Sequence, residues 1–334
     1  MDLIVEIGNS HEGSLGIATS FVDMAKEAGA SCVKFQMHLA EFEGMQDEPF
    51  RINFSLQDLS RQDYWKRVNF SFDEWLKLAK YVNDSGLEFL CTPFSNEAAK
   101  WLFDNNLVKR WKVGSGDALN IPLLEYLIKT NLPMIISTGL ISWDEIIYLR
   151  EFLISNDFWN KTTLMHCISE YPTRIENSAL NIIPELQSLG CKVGLSDHSG
   201  NWIVPLKAIS QGISILEVHM TPHKKFFGPD TVASLTPDEI RRILEIEKTW
   251  SLLDKHIRTK DDIFQSSLAT QKLFRKGIYW SRDVSVGEKI TLDDLKFRKP
   301  IYEIDSKDYK NYLNKIVRVD VIKDTPLLKE QFHE

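Results

Sequence analysis

The chain of 334 residues has no apolar run that approaches the roughly 18 to 20 residues needed for a membrane helix. Its first segment, MDLIVEIGNSHEG, lacks a basic start and carries Glu6 inside its short apolar stretch, so we expect no secretory signal. The sequence also lacks the GxSxG pattern of a serine hydrolase elbow. The lack of a long apolar run and of a secretory signal predicts a cytoplasmic protein without a membrane segment.

Cysteines are few, and none of them lies in a CxxC pair. This argues against a disulfide framework and against a cysteine-ligated zinc site. Each cysteine stands alone in an apolar segment, which predicts buried free thiols. The four residues are Cys32, Cys91, Cys167 and Cys191.

An excess of positive charge is also missing, because 40 Lys and Arg face 47 Asp and Glu, for a formal charge of -7. This balance argues against nucleic acid or an anionic membrane surface as a partner. A small anionic ligand would need positive charge concentrated at one place. Because 43% of the residues are hydrophobic, the chain can bury a large core, which excludes a disordered chain.

Short apolar runs alternate with amphipathic stretches from Leu3 to about Trp250. Eight strand and helix pairs in about 250 residues predict an α/β fold of the (β/α)8 TIM barrel type. An open, doubly wound sheet is the alternative, although no predicted strand is followed by the GxGxxG turn that would favour it. The predicted strands are Leu3–Ile7, Cys32–Gln36, Glu88–Thr92, Arg110–Val113, Met134–Ser137, Thr163–Cys167, Lys192–Leu195 and Ile213–His219. The predicted helices are Leu15–Ala28, Ser71–Asp84, Asn96–Asn105, Pro122–Lys129, Trp143–Ser155, Leu180–Leu189, Ile203–Gln211 and Pro237–Trp250.

The barrel is predicted to span residues 1–253, followed by a polar linker at 254–273 and a small β-rich domain at 274–334. Within the barrel, the connection at 38–69 is too long for an ordinary loop between a strand and a helix. Long connections of this kind are typical of lids over active sites.

Polar side chains end almost every predicted strand, at the face where barrel enzymes build their active sites. Lys34 and Lys112 stand in apolar sequence, and the turn Gly114–Ser115–Gly116 follows the second lysine. Lysines, hydroxyls and a glycine turn predict a site for an anion such as phosphate, because glycine lets backbone N–H groups approach it. The alternative is that each lysine extends from its strand end into solvent.

His198 and His219 end the seventh and eighth strands, which are neighbours in a barrel. They are candidate ligands for one divalent ion, with water or substrate in the remaining positions. The alternative is a pair of hydrogen-bonded histidines in the core.

Nine short motifs follow one another along the chain: EIGNSHEGSL, VKFQ, TPFS, KVGSGDALN, ISTG, HCISEYPT, GLSDHS, ILEVHMT and GPD. In order and spacing they resemble those of the sialic acid synthase family, whose members condense phosphoenolpyruvate with an N-acetylated aldose to give a nonulosonic acid. The later segment LFRKGIYWSRDVSVGEKITLDDLKFRKP resembles the antifreeze-like SAF domain that follows the barrel in this family.

The resemblance implies a role for particular residues of this chain. Phosphoenolpyruvate would bind at Lys34, Thr92, Lys112, Ser115, Ser137, Ser169 and Ser196. The sugar would contact Gln36, Tyr171 and Asp230, together with Arg298 or Lys299 from the SAF domain of a second subunit, which caps the barrel in a homodimer. His198 and His219 would bind the metal, which the resemblance implies is Mn²⁺, with Mg²⁺ or Co²⁺ as alternatives. Glu6, Asp117 and Lys112 would act in catalysis.

Departures from the family pattern leave the sugar open. Ser169 stands where sialic acid members often have Asn, and Lys299 stands at the position of the SAF arginine, which lysine does not replace in bidentate hydrogen bonding. The lid segment RQDYWKRVNF is also unlike that of the sialic acid members of the family. The sugar is therefore either N-acetylmannosamine or a 2,4-diacetamido-trideoxyhexose, the latter leading to a legionaminic- or pseudaminic-type acid. A Schiff-base aldolase using Lys34 or Lys112 and a non-catalytic sugar-binding protein are the alternative functions.

Overall fold

A computed structural model describes residues 1–45, 48–50, 52–255 and 257–333, which form two compact units, Met1–Ser251 and Leu252–Glu334. Strands and helices alternate through the first unit. Its strands are β1 (Asp2–Gly8), β2 (Cys32–Met37), β3 (Glu88–Pro93), β4 (Trp111–Val113), β5 (Met134–Ser137), β6 (Thr162–Cys167), β7 (Lys192–Asp197) and β8 (Ile215–His219). The helices are α1 (Leu15–Ala28), α2 (Ala40–Glu43), α3 (Arg61–Val68), α4 (Phe72–Asp84), α5 (Asn96–Asp104), α6 (Ile121–Lys129), α7 (Trp143–Ser155), α8 (Ile182–Ser188), α9 (Ile203–Ile209) and α10 (Pro237–Asp254).

The eight strands are parallel and pair in the order β3-β2-β1-β8-β7-β6-β5-β4, and β3 also contacts β4. This cyclic order confirms the predicted TIM barrel, and the open doubly wound sheet was the wrong alternative. Each strand begins and ends within two residues of its predicted bounds.

Local capping chemistry explains where several helices begin and end. The Ser71 hydroxyl accepts a bond from the Glu74 N–H, and the Glu74 carboxylate accepts one from the Ser71 N–H, which together start α4. Ser142 and Glu145 start α7 in the same way. Gly29 ends α1 with a φ of 93°, a left-handed conformation that glycine adopts without strain.

The main core lies between the strands and the surrounding helices. Phe21 of α1, Leu78 of α4, Leu124 of α6 and Leu149 of α7 all belong to it and are fully buried. The burial of one face of each helix follows from apolar residues spaced three or four positions apart.

A separate apolar layer fills the interior of the barrel near the start of the strands. Six strands each contribute one buried residue to this layer: Ile4, Cys32, Leu90, Ile135, Met165 and Ile215. Side chains two positions apart share a face of a strand, so the next layer holds the residues two positions further along. That layer is mostly polar and consists of Glu6, Lys34, Thr92, Ser137, Cys167 and Glu217. All four cysteines are free and three are buried, which confirms the predicted thiols for Cys32, Cys91 and Cys167 and leaves Cys191 partly exposed.

The long connection at 38–69 contains two helices, α2 and α3, that the sequence pattern did not predict. Tyr64 and Trp65 are buried and pack with Phe54. The Tyr64 hydroxyl donates to Glu12 at 3.0 Å, and Arg67 also binds Glu12 at 3.0 Å, so this segment is tied to the loop after β1. Positions 46, 47 and 51 of the predicted lid lie outside the described residues.

The second unit contains two helices and a small antiparallel sheet. Helix α11 (Lys260–Ser266) falls within the predicted linker, and α12 (Leu268–Phe274) extends one residue beyond its end at 273. Strands β9 (Gly277–Trp280) and β10 (Leu295–Arg298) pair, and buried side chains including Trp280 form the core of this unit. Across both units, no helix in the described ranges has the length and apolar character needed to cross a membrane.

Gly194 of β7 offers a test of the packing inside the barrel, because an added Cβ would lie 2.6 Å from the Ile215 carbonyl oxygen and would also contact Met165. We expect Gly194→Ala to lower the free energy of unfolding by about 1–3 kcal/mol, the usual cost of overpacking. Urea denaturation measures the change. The control is Gly16→Ala in α1, where the nearest atom would be 3.9 Å away, and we expect it to leave the stability equal or slightly higher. Equal stability of the two variants would contradict the prediction.

Candidate functional site

A cavity of about 480 Å³ opens at the carboxyl ends of the barrel strands. Most of the residues predicted from the sequence as a site line it together. They are Glu6, Lys34, Gln36, Thr92, Lys112, Ser115, Ser137, Ser169, Tyr171, Ser196, His198, His219 and Asp230.

Two buried lysines flank one carboxylate at the centre of this cavity. The Oε1 atom of Glu217 lies 3.8 Å from the Lys34 Nζ and 3.6 Å from the Lys112 Nζ. Ser196 donates its hydroxyl to the same oxygen at 2.9 Å. All four side chains are buried, so the positive charge is held by opposite charge rather than by water.

Hydroxyls and a second carboxylate complete the surroundings of the lysines. Lys34 Nζ lies 2.8 Å from Glu6 Oε2 and donates to the Thr92 hydroxyl at 3.3 Å. Lys112 donates to the Ser137 hydroxyl at 2.8 Å. Each lysine therefore has a hydroxyl neighbour, which is the arrangement predicted for an anion site.

Burial and mutual charge set the pKa values of the three central groups. Burial raises the pKa of Glu217, but Lys112 and Lys34 lower it more, so it lies below its usual range. Burial lowers the pKa of Lys34, and the carboxylates of Glu217 and Glu6 outweigh this and raise it above its usual value. The pKa of Lys112 is lowered by burial and by the charge of Lys34, against the opposing effect of Glu217. Lys112 is thus the more easily deprotonated lysine.

The two histidines lie side by side, with ring centroids 5.3 Å apart. His198 Nδ1 donates to the Ile168 carbonyl at 2.8 Å, so its Nε2 lone pair accepts from the Tyr171 hydroxyl at 3.0 Å. Burial and His219 lower the pKa of His198 to about 3, which keeps the ring neutral, the form in which imidazole binds metals. In the described ranges, however, no group of three or more His, Cys, Asp or Glu is arranged to hold a metal ion.

Glu217 is the central residue to which the sequence analysis gave no role. It belongs to the strand that carries His219, two positions earlier and on the same face, and it follows Ile215 of the apolar layer by two positions. This spacing of two residues was the sequence signal that could have placed Glu217 inside the barrel beside His219. Its second oxygen, Oε2, is buried and has no hydrogen-bond partner among the described residues.

Three predicted site residues lie elsewhere. Asp117 borders a neighbouring cavity of about 440 Å³, where Asn120 donates to it at 3.0 Å and burial raises its pKa. Arg298 and Lys299 belong to the second unit. There Arg298 binds Asp324 at 3.1 Å.

Two buried lysines, several hydroxyls and two histidines line a cavity at the carboxyl ends of a (β/α)8 barrel, where enzymes of the barrel class have their active sites. The NeuB family model matches residues 21–258, and the SAF domain model matches residues 275–333. The chain therefore belongs to the NeuB family and is an enzyme of the sialic acid synthase type.

Similar proteins cover almost the whole chain. The N,N'-diacetyllegionaminic acid synthase of Legionella pneumophila is 28% identical over 336 residues, which cover 98% of this chain and 93% of that protein. The N-acetylneuraminate-9-phosphate synthase of Homo sapiens is 29% identical over 335 residues, with 98% and 91% coverage. The crystal structure of N-acetylneuraminic acid synthetase from Leptospira borgpetersenii, in complex with citrate, has a TM-score of 0.68 at 25% identity and covers 80% of this chain and 90% of that one. These relatives differ in the acid they are named for, so likeness to them leaves the sugar open.

The role of Glu217 in holding the lysines is testable. We expect Glu217→Gln to lower the free energy of unfolding by about 3 kcal/mol or more at neutral pH, because it removes the carboxylate beside Lys112 and leaves only Glu6 to balance the two buried lysines. The folded-state pKa of Glu217 lies below its usual value, so the carboxylate stabilises the fold above about pH 4.3 and this contribution is lost as the pH falls through the folded-state pKa.

Urea denaturation at about pH 7 and about pH 3 measures both effects. The matched control is Asp84→Asn, which breaks the exposed pair of Lys80 and Asp84 and should change stability little. A Glu217→Gln variant as stable as this control would contradict the assignment.

Proposed function

We propose that the enzyme condenses phosphoenolpyruvate with an N-acetylated aldose and water, giving a nonulosonic acid and phosphate. The observation that carries the proposal is the buried pair of Lys34 and Lys112, each beside a hydroxyl, in the cavity of a NeuB-family barrel. Relatives named as synthases of diacetyllegionaminic acid and of N-acetylneuraminate 9-phosphate support this reaction class.

Phosphoenolpyruvate would bind at the centre of the cavity. Its carboxylate and phosphate would accept bonds from the lysines and from the hydroxyls around them. The residues proposed for this are Lys34, Thr92, Lys112, Ser115, Ser137, Ser169 and Ser196. These donors are already fixed by burial and by bonds to one another, so they would stabilise the departing phosphate without reorganising.

The charge of the cavity supports a further cation. Apart from the histidines, the described residues that line it carry three positive charges, on Lys34, Arg61 and Lys112, and three negative charges, on Glu6, Glu217 and Asp230, so the formal sum of these six is zero. Phosphoenolpyruvate would add a carboxylate and a phosphate. A bound divalent ion would balance much of this charge.

We propose His198 and His219 as the protein ligands of that ion, which we take to be Mn²⁺, with Mg²⁺ or Co²⁺ as alternatives. The neutral ring of His198, whose Nε2 would bind the ion in place of the Tyr171 hydroxyl, and the unpartnered Oε2 of Glu217 fit such a group. When bound, the ion would supply Lewis acid chemistry to the aldehyde of the sugar.

In the proposed reaction, C3 of phosphoenolpyruvate forms a bond to the aldehyde carbon, whose oxygen takes up a proton, and cationic character develops at C2. Water then adds to C2, and Glu6, which lines the cavity, would orient this water and accept a proton from it. The C2 hydroxyl then becomes the ketone as the bond from C2 to the bridging oxygen breaks, and its proton leaves with the phosphate, which departs against Lys34 and Lys112. Asp117 is the alternative base, and its place in the neighbouring cavity makes Glu6 the stronger candidate.

Polar and apolar groups divide the remainder of the cavity. Gln36, Tyr171 and Asp230 would contact the sugar near its reacting end. The side formed by the 38–69 connection and the loop after β5 carries the apolar and aromatic side chains Phe50, Ile52, Phe54, Tyr64, Trp65 and Leu140, and Arg61, which also lines it, is paired with Glu48 at 2.7 Å. Such a wall suits acyl methyl groups and deoxygenated carbons. We therefore propose a 2,4-diacetamido-trideoxyhexose as the sugar in preference to N-acetylmannosamine.

We further propose a cytoplasmic homodimer, in which the partner's Arg298 or the partner's Lys299 contacts the sugar. The resemblance of the second unit to the SAF domain of this family supports the arrangement. A second function, a Schiff-base aldolase, draws support from the lowered pKa of Lys112, because an imine forms from a neutral amine. Borohydride trapping with a keto acid would detect that imine.

The substrate proposal is tested by phosphate release from phosphoenolpyruvate with a panel of sugars. We expect the highest kcat/KM with a 2,4-diacetamido-trideoxyhexose, a lower value with N-acetylmannosamine and the lowest with its 6-phosphate, because the apolar wall leaves a phosphate poorly solvated. The same assay without sugar is the control. Absence of sugar-dependent phosphate release with every member of the panel would refute the proposed function.

The metal proposal makes a separate prediction. We expect His219→Ala to lower kcat by about a hundredfold or more, and we expect a chelator to abolish turnover until Mn²⁺ is restored. His333→Ala, an exposed histidine of the second unit, is the matched control and should retain activity. Full turnover after metal depletion would exclude the metal role.

A further inference from the structure

His38 is a buried histidine just beyond the cation and carboxylate network. Only 4% of it is exposed, although it belongs to the connection that covers the barrel. Its ring is stacked between Trp65 and Phe94, at centroid distances of 4.7 Å and 4.3 Å and interplanar angles of 10° and 11°. The ring therefore has a fixed plane, and its two nitrogens have fixed directions.

Both ring nitrogens face hydrogen-bond acceptors. Nδ1 lies 2.9 Å and 2.8 Å from the two carboxylate oxygens of Glu43, and Nε2 lies 3.1 Å from the Gln36 Oε1. The orientation of the Gln36 amide is fixed because the Nε2 of Gln36 donates to Glu6 Oε1 at 2.6 Å. The flipped amide would place its oxygen against that carboxylate. A carboxylate and an amide oxygen only accept, so the His38 ring must donate from both nitrogens.

We propose that His38 is a positioning residue, held as an imidazolium by Glu43, that orients the Gln36 amide and through it the carboxylate of Glu6. The proposal rests on the proposed function in one respect, because Gln36 and Glu6 act there on the sugar and on the attacking water. The chain of contacts runs from Glu43 to His38, Gln36, Glu6 and Lys34. A ring nitrogen that lost its proton would face the Gln36 oxygen without a donor and release the amide.

The charged and titratable groups around the ring come from four elements. Glu43 of α2 lies against Nδ1, and Asp117 after β4 and His11 after β1 interact with the ring electrostatically. Arg61 of α3 lies over the outer side of Trp65, with its guanidinium carbon 4.4 Å from the ring centroid. The aromatic faces of Trp65 and Phe94 also favour a cation between them.

Two variants separate this role from packing. His38→Phe keeps an aromatic ring between Trp65 and Phe94 and removes both donors. Glu43→Gln keeps the size of the side chain and an acceptor for Nδ1 but removes the charge. The control is Tyr81→Phe, which removes a hydrogen bond to Asp23 on the outer surface of the barrel.

We expect His38→Phe to lower kcat/KM for the sugar by about tenfold, the size of one lost hydrogen bond, and to leave the KM for phosphoenolpyruvate within about twofold. Glu43→Gln should give the same pattern with a smaller loss, and Tyr81→Phe should show neither change. Thermal unfolding of His38→Phe close to that of the wild type would show that the loss is not one of folding. Unchanged kcat/KM for the sugar in His38→Phe, or an equal loss for both substrates, would overturn the positioning role.

A spectroscopic measurement on the substrate-free protein is independent of the reaction. In protein carrying ¹⁵N-labelled histidine, we expect the His38 signal, assigned by its loss in His38→Phe, to show two protonated nitrogens at neutral pH. In Glu43→Gln it should show one. In ¹⁵N-labelled glutamine protein, the Gln36 side-chain amide, assigned with Gln36→Leu, should shift in His38→Phe. A single protonated nitrogen in the wild type would overturn the proposal even if phosphate release occurs, and two would uphold the imidazolium even if no sugar is turned over.

Discussion

The interaction on which the rest of the site depends is the attraction of two buried lysines to one buried carboxylate. Removing these charges from water costs several kcal/mol for each ion, and only close opposite charge and hydrogen bonds offset that cost. Glu217 supplies the charge for Lys34 and Lys112, while Ser196 and Ser137 supply hydrogen bonds. Glu6 lies 2.8 Å from Lys34 and supplies a second opposite charge. Two carboxylates thus make two buried lysines tolerable inside the barrel.

The barrel can hold this network because its strands place alternate residues in successive layers. The apolar layer fills the lower interior, and the same six strands turn to mostly polar residues two positions later. Packing in the first layer fixes the strands, and through them the positions from which the polar side chains project. Precision in the site therefore derives from apolar contacts that never meet the ligand.

Much of this arrangement follows from local sequence, and some of it does not. Strand ends are local features, so the positions of Lys34, Lys112 and His219 could be predicted from apolar runs alone. The role of Glu217 could not, since it depends on which lysines the barrel brings to it from β2 and β4. The short helices α2 and α3 were missed because their residues mix charges and aromatics without a sustained helical period. The place of Asp117 in a neighbouring cavity depends on how the turn after β4 is oriented, which no spacing reveals.

The apolar layer beneath the polar one has one more consequence. Its six buried side chains fill the barrel interior on the side of the strand starts, so the cavity is closed at that end and is not a channel. Any water, ion or small molecule that reaches Lys34 or Lys112 must enter and leave through the same opening at the strand ends. Molecules that enter or leave therefore pass the aromatic side chains of the 38–69 connection. A molecule bound near that opening blocks the exit of one bound deeper in the cavity.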